Sequence, residues 1–492
     1  MLTFCAAASA ATFDVTPADD VETLLQTLSP GDVVVVHGGV YELSGRFSVS
    51  LAGTAALPIT IEAAPGEVPT FHRALQDQNV WDLDAAAFVT LRGLVWSGGS
   101  AGLRLSDVHD LTVEDCEITG TGDVAFRAND AGQDYANLVV RHNQFHHTDG
   151  TGEGMYLGCN EDGCRVRDSL VEGNWVHHTN GPGVSQGDGI ELKEGSHDVV
   201  IRDNVIHDTN YPCILTYSTV GNGGPNTIER NVMWGCGDHG IQSAADAVIR
   251  NNVVLSAAGA GIALQPHQNG VPGGLVVVHN TVLNAGDALA LRELAGSATI
   301  ANNALYSQSG EAFRVVGGAL GGLVDQGNVT TGDVAADFVG ASFAGAPPLD
   351  VFPTAGGALA GAADPAHLAA DDFDGRGRTA PGDVGAYALS GGGAGWPITG
   401  GFKVLPPETD TDTDTDSDTD TDSDADTDTD TDSDTTDLHI TYAHTGPADA
   451  PKDGEGCGCR SGRTSGWGWA GLVGALALRR RQRASSTSAT GS

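Results

Sequence analysis

Between positions 187 and 193 the sequence reads GDGIELK, which sets Asp188, Glu191 and Lys193 close together in a short apolar frame. A related phrase, GEGMYLG, carries Glu153 and Tyr156 at the matching places, and Asp149 stands just ahead of it. Carboxylates collected in this way repel one another unless a proton or a cation lies between them. Glu153, Asp188, Glu191 and Asp149 are therefore the candidate ligands of a Ca²⁺ ion, an ion that takes oxygen donors. The bland reading is that glycine-flanked acids cap solvated turns. Histidines recur as well, in FHHT, VHHT and IHDT, giving His146, His177 and His207 in one column and His147, His178 and Asp208 in the next. They are either a stacking ladder or a source of one proton acceptor, since histidine titrates near neutrality. Lys193, Glu191, His177, His178, Tyr156 and Arg127 are the candidate catalytic groups. The chemistry they suit is removal of a proton from carbon: a cation neutralises a uronate carboxylate, and Lys, His or Tyr takes the α-proton. Loss of the glycosidic oxygen then makes a lyase, and reprotonation makes an epimerase.

The positions of these groups depend on a repeat. Between residues 110 and 330 one phrase returns as VRHNQF, VEGNWV, IRDNVI, IERNVM, IRNNVV, VVHNTV and IANNAL. Its asparagines are Asn143, Asn174, Asn204, Asn231, Asn252, Asn280 and Asn303. Constant strands at uneven spacing imply a stacked core with loops of variable length. Val and Ile dominate the strands and no helical period separates them, which favours β-structure over a leucine-rich repeat. The expected fold is all-β, a right-handed parallel β-helix, with the asparagines stacked inside one turn. Residues 17–29 read as a short amphipathic helix capping the N-terminal end, and residues 340–390 are expected to close the other end, with DVGAYAL as the last strand.

In such a solenoid equivalent positions stack about 4.8 Å apart. Aligning coils on the GIELK strand predicts an outward, solvent-facing column of Arg104, Tyr156, Glu191 and Gln242. A second column of Arg127, Gly158, Lys193, Thr216 and Gln265 would leave a glycine-floored gap between two cations.

The segments SPGDVVVVHGGVYEL, GTAALPITIEAAPGE and DFDGRGRTAPGDVGAYAL resemble the opening and closing parts of polysaccharide-acting β-helix proteins, among them the chondroitinase B and alginate lyase family. The resemblance spans roughly residues 18–390 and implies a pectate-lyase-like solenoid acting on acidic polysaccharide. It also implies a catalytic role for Lys193, which matches a family lysine loosely. Two other classes stay open. A hydrolase would use clustered aspartates, faintly echoed by Asp188, Asp238 and His239. A glycan-binding or adhesin-like surface protein would use the same face without catalysis.

A net charge of -40, with 64 acidic and 24 basic residues, excludes nucleic acid as a partner, because no basic stripe exists to contact phosphates. Residues 408–437 alternate Asp with Thr or Ser and supply 15 of the acidic groups. So charged and so poor in apolar residues, they are expected to be a disordered spacer. The organisation expected is therefore a signal-peptide remnant at 1–13, the β-helix at 14–400, an acidic linker at 401–456 and a tail at 457–492. The tail orders GCGC (Cys457, Cys459), an apolar run and Arg479-Arg480-Arg481, and it resembles a myxobacterial C-terminal sorting tail. That resemblance implies export and attachment to the outer envelope. Cys159 and Cys164, bracketing CNEDGC, are expected to form a disulfide of an exported protein. A monomer is expected.

Overall fold

The asparagine phrase determines the architecture. In a computed structural model, which describes residues 10–391 and 398–404, these side chains form one continuous buried ladder. The Asn174 backbone N–H donates to Asn204 Oδ1 at 2.9 Å, and Asn174 Nδ2 donates to the same oxygen at 3.0 Å. Asn174 Nδ2 also donates to the Val140 carbonyl at 2.8 Å. The pattern repeats through Asn143, Asn204, Asn231, Asn252, Asn280 and Asn303, and ends on Asn328, which the repeat phrase had not revealed. At the other end Cys116 donates its backbone N–H to Asn143 Oδ1 at 2.9 Å. Each interior amide is satisfied on both sides, so a buried polar column costs no unpaired group.

The residue before each Asn is left-handed, with φ of 56° at His142, 57° at Asp203, 55° at Arg230 and 56° at Asn251. This turn feeds the strands of an 11-stranded parallel sheet running from Gly39–Glu42 to Ala304–Ser307. The other two faces of each coil form a 23-stranded sheet whose described pairings are all parallel. Stacks such as Ile190, Ile214, Ile241 and Ile262 fill the interior at 0% exposure. The architecture is a parallel β-helix. The 11-stranded sheet also carries a ring stack: His146 on His177 at 4.7 Å, His177 on His207 at 5.2 Å, and His207 on Trp234 at 4.3 Å.

The ends differ from expectation in three respects. The N-terminal helix is only Val21–Leu25, N-capped by the Asp20 side chain; Val21 and Leu25 are buried in the core, and Leu24 and Leu28 pack against it. The first strand, Thr12–Val15, already pairs with Val33–Val36, so the ordered domain begins inside the stretch assigned to a leader remnant. Residues 340–390 do not close the far end, and DVGAYAL forms no strand. They lie along the outer face of the 11-stranded sheet, where Phe338, Val351, Phe373, Val384 and Tyr387 cover Val205, Val232, Trp234 and Leu283. The reason is that these outward sheet residues are apolar and need cover. Ala386 N–H donates to Thr281 Oγ1 at 2.9 Å, and Arg378 Nη2 donates to Asn251 Oδ1 at 3.1 Å. Lys403 donates to Asp203 Oδ1 at 2.8 Å and to the Phe373 carbonyl at 2.6 Å, so residues 398–404 belong to this brace rather than to a spacer. The remaining leader residues 1–9, the acidic stretch from 405 and the tail with Cys457 and Cys459 lie outside the described residues.

Two outcomes follow. Replacing Asn204 by Ala leaves the Asn174 N–H and Nδ2 without their acceptor, and should cost about 3 kcal/mol in urea unfolding, with the fold retained. Acid should destabilise the domain through His279, fully buried beside Arg378, where desolvation lowers its pKa to about 3. The unfolded chain takes up a proton near pH 6.5 and the native state does not, so stability should fall by up to about 1.4 kcal/mol per pH unit from about pH 6 to 3. His279→Asn, the residue type at neighbouring rungs, should flatten that slope in pH-dependent denaturation curves.

Candidate functional site

The strands Met155–Leu157, Ile190–Leu192, Ile214–Thr216 and Ile241–Ser243 stack in register and present one outward residue each: Tyr156, Glu191, Leu215 and Gln242. Arg127 pairs with Tyr156, and Arg104 pairs with Arg127, so both arginines stand in this column. The expected neighbouring column with Arg127 opposite Lys193 is therefore wrong: Arg127 lies two residues before the place opposite Gly158 and Lys193. Laid letter on letter, GIELK over CILTY puts Tyr217, not Thr216, beside Lys193, and Gly158 takes the place on the other side. That Gly is required: its φ is +89°, and a Cβ there would lie 2.7 Å from Ser196 Oγ and 3.1 Å from Lys193 Cβ.

Lys193 and Glu191 point out of the coil, yet neither faces solvent. Lys193 is 4% exposed and Glu191 1% exposed. A strap from Gln265 to Gly270 folds back over them, pinned by a mutual backbone pair between His267 and Gly270 at 3.1 and 3.0 Å. From it Gln268 reaches Asn160 at 3.1 Å and Asn269 reaches Glu194 at 3.3 Å. Beneath the strap, Lys193 Nζ donates to Glu191 Oε1 in a very short contact and to Tyr217 OH at 3.1 Å. Nζ also sits 4.6 Å from the Tyr156 ring centre and 4.8 Å from that of Tyr217. Tyr217 OH donates to Glu191 Oε1 at 3.0 Å and meets His267 Nε2 at 3.0 Å. Burial and the Glu191 charge push the Tyr217 phenol far up, and Glu191 helps hold Lys193 above the ordinary lysine value despite its burial.

Next to this pair the acids assemble. Oxygens of Glu153, Asp188 and Glu191 lie within 4.8 Å of one another, all three residues buried. Glu153 Oε1 and Oε2, Asp188 Oδ1 and Glu191 Oε2 have no hydrogen-bond partner. Burial, with the charges of its two neighbours, raises Asp188 well above the carboxylate range, and burial raises Glu153 also. Three carboxylates against one lysine leave negative charge uncompensated in a dry place. Such a donor set, hard oxygens at a spacing an ion with bonds of about 2.4 Å can bridge, fits Ca²⁺. Asp149 is not part of it. Its carboxylate lies against Gly183 and accepts from Gly150 N–H at 2.9 Å, because the loop after Thr148 turns it away.

The other candidates are elsewhere. Arg127 Nε donates to Asn129 Oδ1 at 3.1 Å and its guanidinium lies 3.8 Å from Asp123, on the Tyr156 side. His146, His177 and His178 direct their hydrogen bonds and ring contacts to one another and to His147, His207, Trp175, Gln144, Thr119 and Glu117, and none to Lys193. The histidines that do approach are His267 and, beside Gln265 at 3.2 Å, His239. Two disulfides flank the site: Cys159–Cys164, as expected, and Cys213–Cys236, which sequence spacing did not pair.

Residues 81–184 and 165–305 match the profile of the family described as Right handed beta helix region. No curated protein sequence matches the chain. Among solved structures it is similar to an alginate lyase from Paenibacillus sp. str. FPU-7, at 17% identity over 64% of this chain and 99% of that one, with a TM-score of 0.46. It is similar to pectate lyase Pel9A at 13% identity over 77% of this chain and 96% of that one, with a TM-score of 0.49. It is also similar to the catalytic unit of a thermostable GH87 alpha-1,3-glucanase from Streptomyces thermodiastaticus strain HF3-3, at 16% identity over 66% of this chain and 69% of that one, with a TM-score of 0.42. By the family match and its own strand register, the chain is a right-handed parallel β-helix.

Proposed function

We propose that this chain acts on an acidic, uronate-containing polysaccharide by abstracting a proton from carbon at the Lys193 cluster. The observation that carries this reading is a buried lysine, held between two tyrosines, beside three carboxylates with four unpartnered oxygens. Glu153, Asp188 and Glu191 would hold the Ca²⁺. Bound there, the ion would supply positive charge to neutralise a uronate carboxylate and would share the Glu191 carboxylate with Lys193. In its neutral form, reached by release of one proton to solvent before the sugar binds, Lys193 would accept the α-proton, and the two tyrosine rings exclude water around its amine. Tyr217 keeps its phenolic proton, as its raised pKa dictates, and is the group placed to return one to a leaving oxygen or to carbon. His267 orients Tyr217 from the strap. Polysaccharide-acting names among the similar structures agree with the substrate class, and the two disulfides agree with an exported protein.

A second reading has its own support. Lys193 lies under the strap, and a face so covered suits a glycan-binding or adhesin-like protein that does no chemistry. A panel of uronate polymers, followed by the ultraviolet absorbance of unsaturated ends, separates the two. The lyase reading expects that signal, lost in Lys193→Ala and reduced in Asp188→Asn. Binding without product from any polymer would favour the adhesin.

The cation has a separate test in stability. Lys193 is a buried ion-pair partner, so removing it exposes the acids to one another. Without added metal, Lys193→Ala should lose about 3 kcal/mol, contrary to the small effect expected for an outward surface lysine. Millimolar Ca²⁺ should recover much of that loss and should raise the melting temperature of the wild type. Asp188→Asn should blunt the Ca²⁺ response. A melting temperature indifferent to Ca²⁺ and chelator in both proteins would remove the metal from the account.

A further inference from the structure

The histidine ladder is untouched by the chemistry above. In a regular strand, neighbouring side chains point to opposite faces. Here the second residue of each pair is left-handed, with φ of 55° at His147 and 53° at His178, so His146 and His147 turn the same way, as do His177 and His178. The result is two facing imidazole pairs on successive coils. His146 Nδ1 and His147 Nδ1 are 2.5 Å apart, and His177 Nδ1 and His178 Nδ1 are 2.6 Å apart. The His147 and His178 rings stack at 4.9 Å.

We propose that His146, His147 and His177 form a transition-metal site of the kind that takes Zn²⁺, separate from the carboxylate cluster. One ring nitrogen of each lies within 4.8 Å of the others, with His177 buried, His146 half-buried and His147 exposed. Tetrahedral Zn²⁺ with nitrogen bonds of about 2.0 Å needs ligand atoms about 3.3 Å apart, which small ring rotations supply. Imidazole donors without carboxylate select such metals over Ca²⁺.

The surrounding hydrogen bonds discriminate. His146 Nε2 meets Glu117 Oε1 at 3.1 Å. A proton donated there leaves Nδ1 with its lone pair, which is the carboxylate–histidine support usual behind metal ligands. His177 Nε2 faces the side-chain amide of Gln144 at 3.0 Å, a group able to present either its oxygen or its nitrogen. The next rung is unsuited. Trp175 Nε1–H can only donate, and it donates to His207 Nε2 at 2.9 Å, so His207 carries its proton on Nδ1, bonded to Asp208 at 2.8 Å. His178, His207 and Asp208 therefore do not make a second site, although they are as close together.

The proposed site opens onto a cavity of about 460 Å³ lined by His147, His178, Asp149, Thr148 and Pro182. Three protein ligands and an open side leave a position for water or for an anionic ligand. This inference does not rest on the polysaccharide reading.

The test uses the full chain, with Zn²⁺ followed by titration calorimetry and Co²⁺ followed by its visible spectrum. The chain has other histidines and cysteines, so the readout is the difference between wild type and variants. His147→Asn keeps a residue suited to the left-handed turn, and with His146→Gln it should remove one Zn²⁺ equivalent and the imidazole-type Co²⁺ bands. Glu117→Gln should weaken that equivalent about tenfold. Asp188→Asn should leave it in place. Unchanged Zn²⁺ stoichiometry and affinity in the double variant would overturn the site, and so would loss of the same equivalent in Asp188→Asn.

Discussion

Register in this molecule is held by amide groups that never see water. Each buried Asn accepts two hydrogen bonds from the coil before it and donates onward, so a coil shifted by one residue would strand several donors at once. Once the ladder is fixed, every other position falls into a column, and the columns carry the functional groups. The left-handed residues matter as much. One precedes each Asn, and another stands at His147, just after its strand in the 11-stranded sheet, and at His178 and Asp208, near the ends of theirs. The first turns the chain into its second sheet, and the second decides which pairs of side chains face the same way.

The Lys193 cluster shows what stacking does to charge. Glu153 and Asp188 come from adjacent coils and Glu191 from the strand beside them, so the solenoid presses three acids together that sequence keeps apart. Lys193 answers only one of them. The rest of the cost is met by the surroundings: a strap that keeps water out, two aromatic faces for the ammonium, and a glycine where any side chain would displace the lysine. Burial and crowding hold Asp188 and Glu153 toward their protonated forms, and so perturbed a cluster of buried acids is a candidate site on physical grounds.

The coil, the asparagine ladder and the acid pair Glu153–Asp188 were legible in the sequence because each is a repeated residue type at a repeated place. In the second column Arg127 was misread by two positions and Thr216 by one, since strands of three residues give too little pattern to fix phase without careful letter-by-letter alignment. Tyr217 was within reach of that same alignment. His267 was not, because the strap that carries it has no period and its contacts reach coils far away in sequence. Solvent exposure of Lys193 failed for the same reason: strand alternation tells which way a side chain points, not what lies over it. The role of residues 340–391 and 398–404 was missed because outward valines and a tryptophan in a sheet look like ordinary strand residues until something is found to cover them.

That covering segment has a mechanical consequence. It starts beyond the last coil and runs back along the solenoid, so Phe402 stacks on His142 and Lys403 is locked to Asp203. A load applied through the chain after residue 404 therefore enters at mid-length, not at the terminal coil. Peeling coils from the open end, each held by a few parallel backbone bonds, would be the soft mode of a bare solenoid. Here the load must first shear a buried ion pair and an apolar seam along several coils together, and shear across many bonds in parallel resists far more than unzipping one rung at a time.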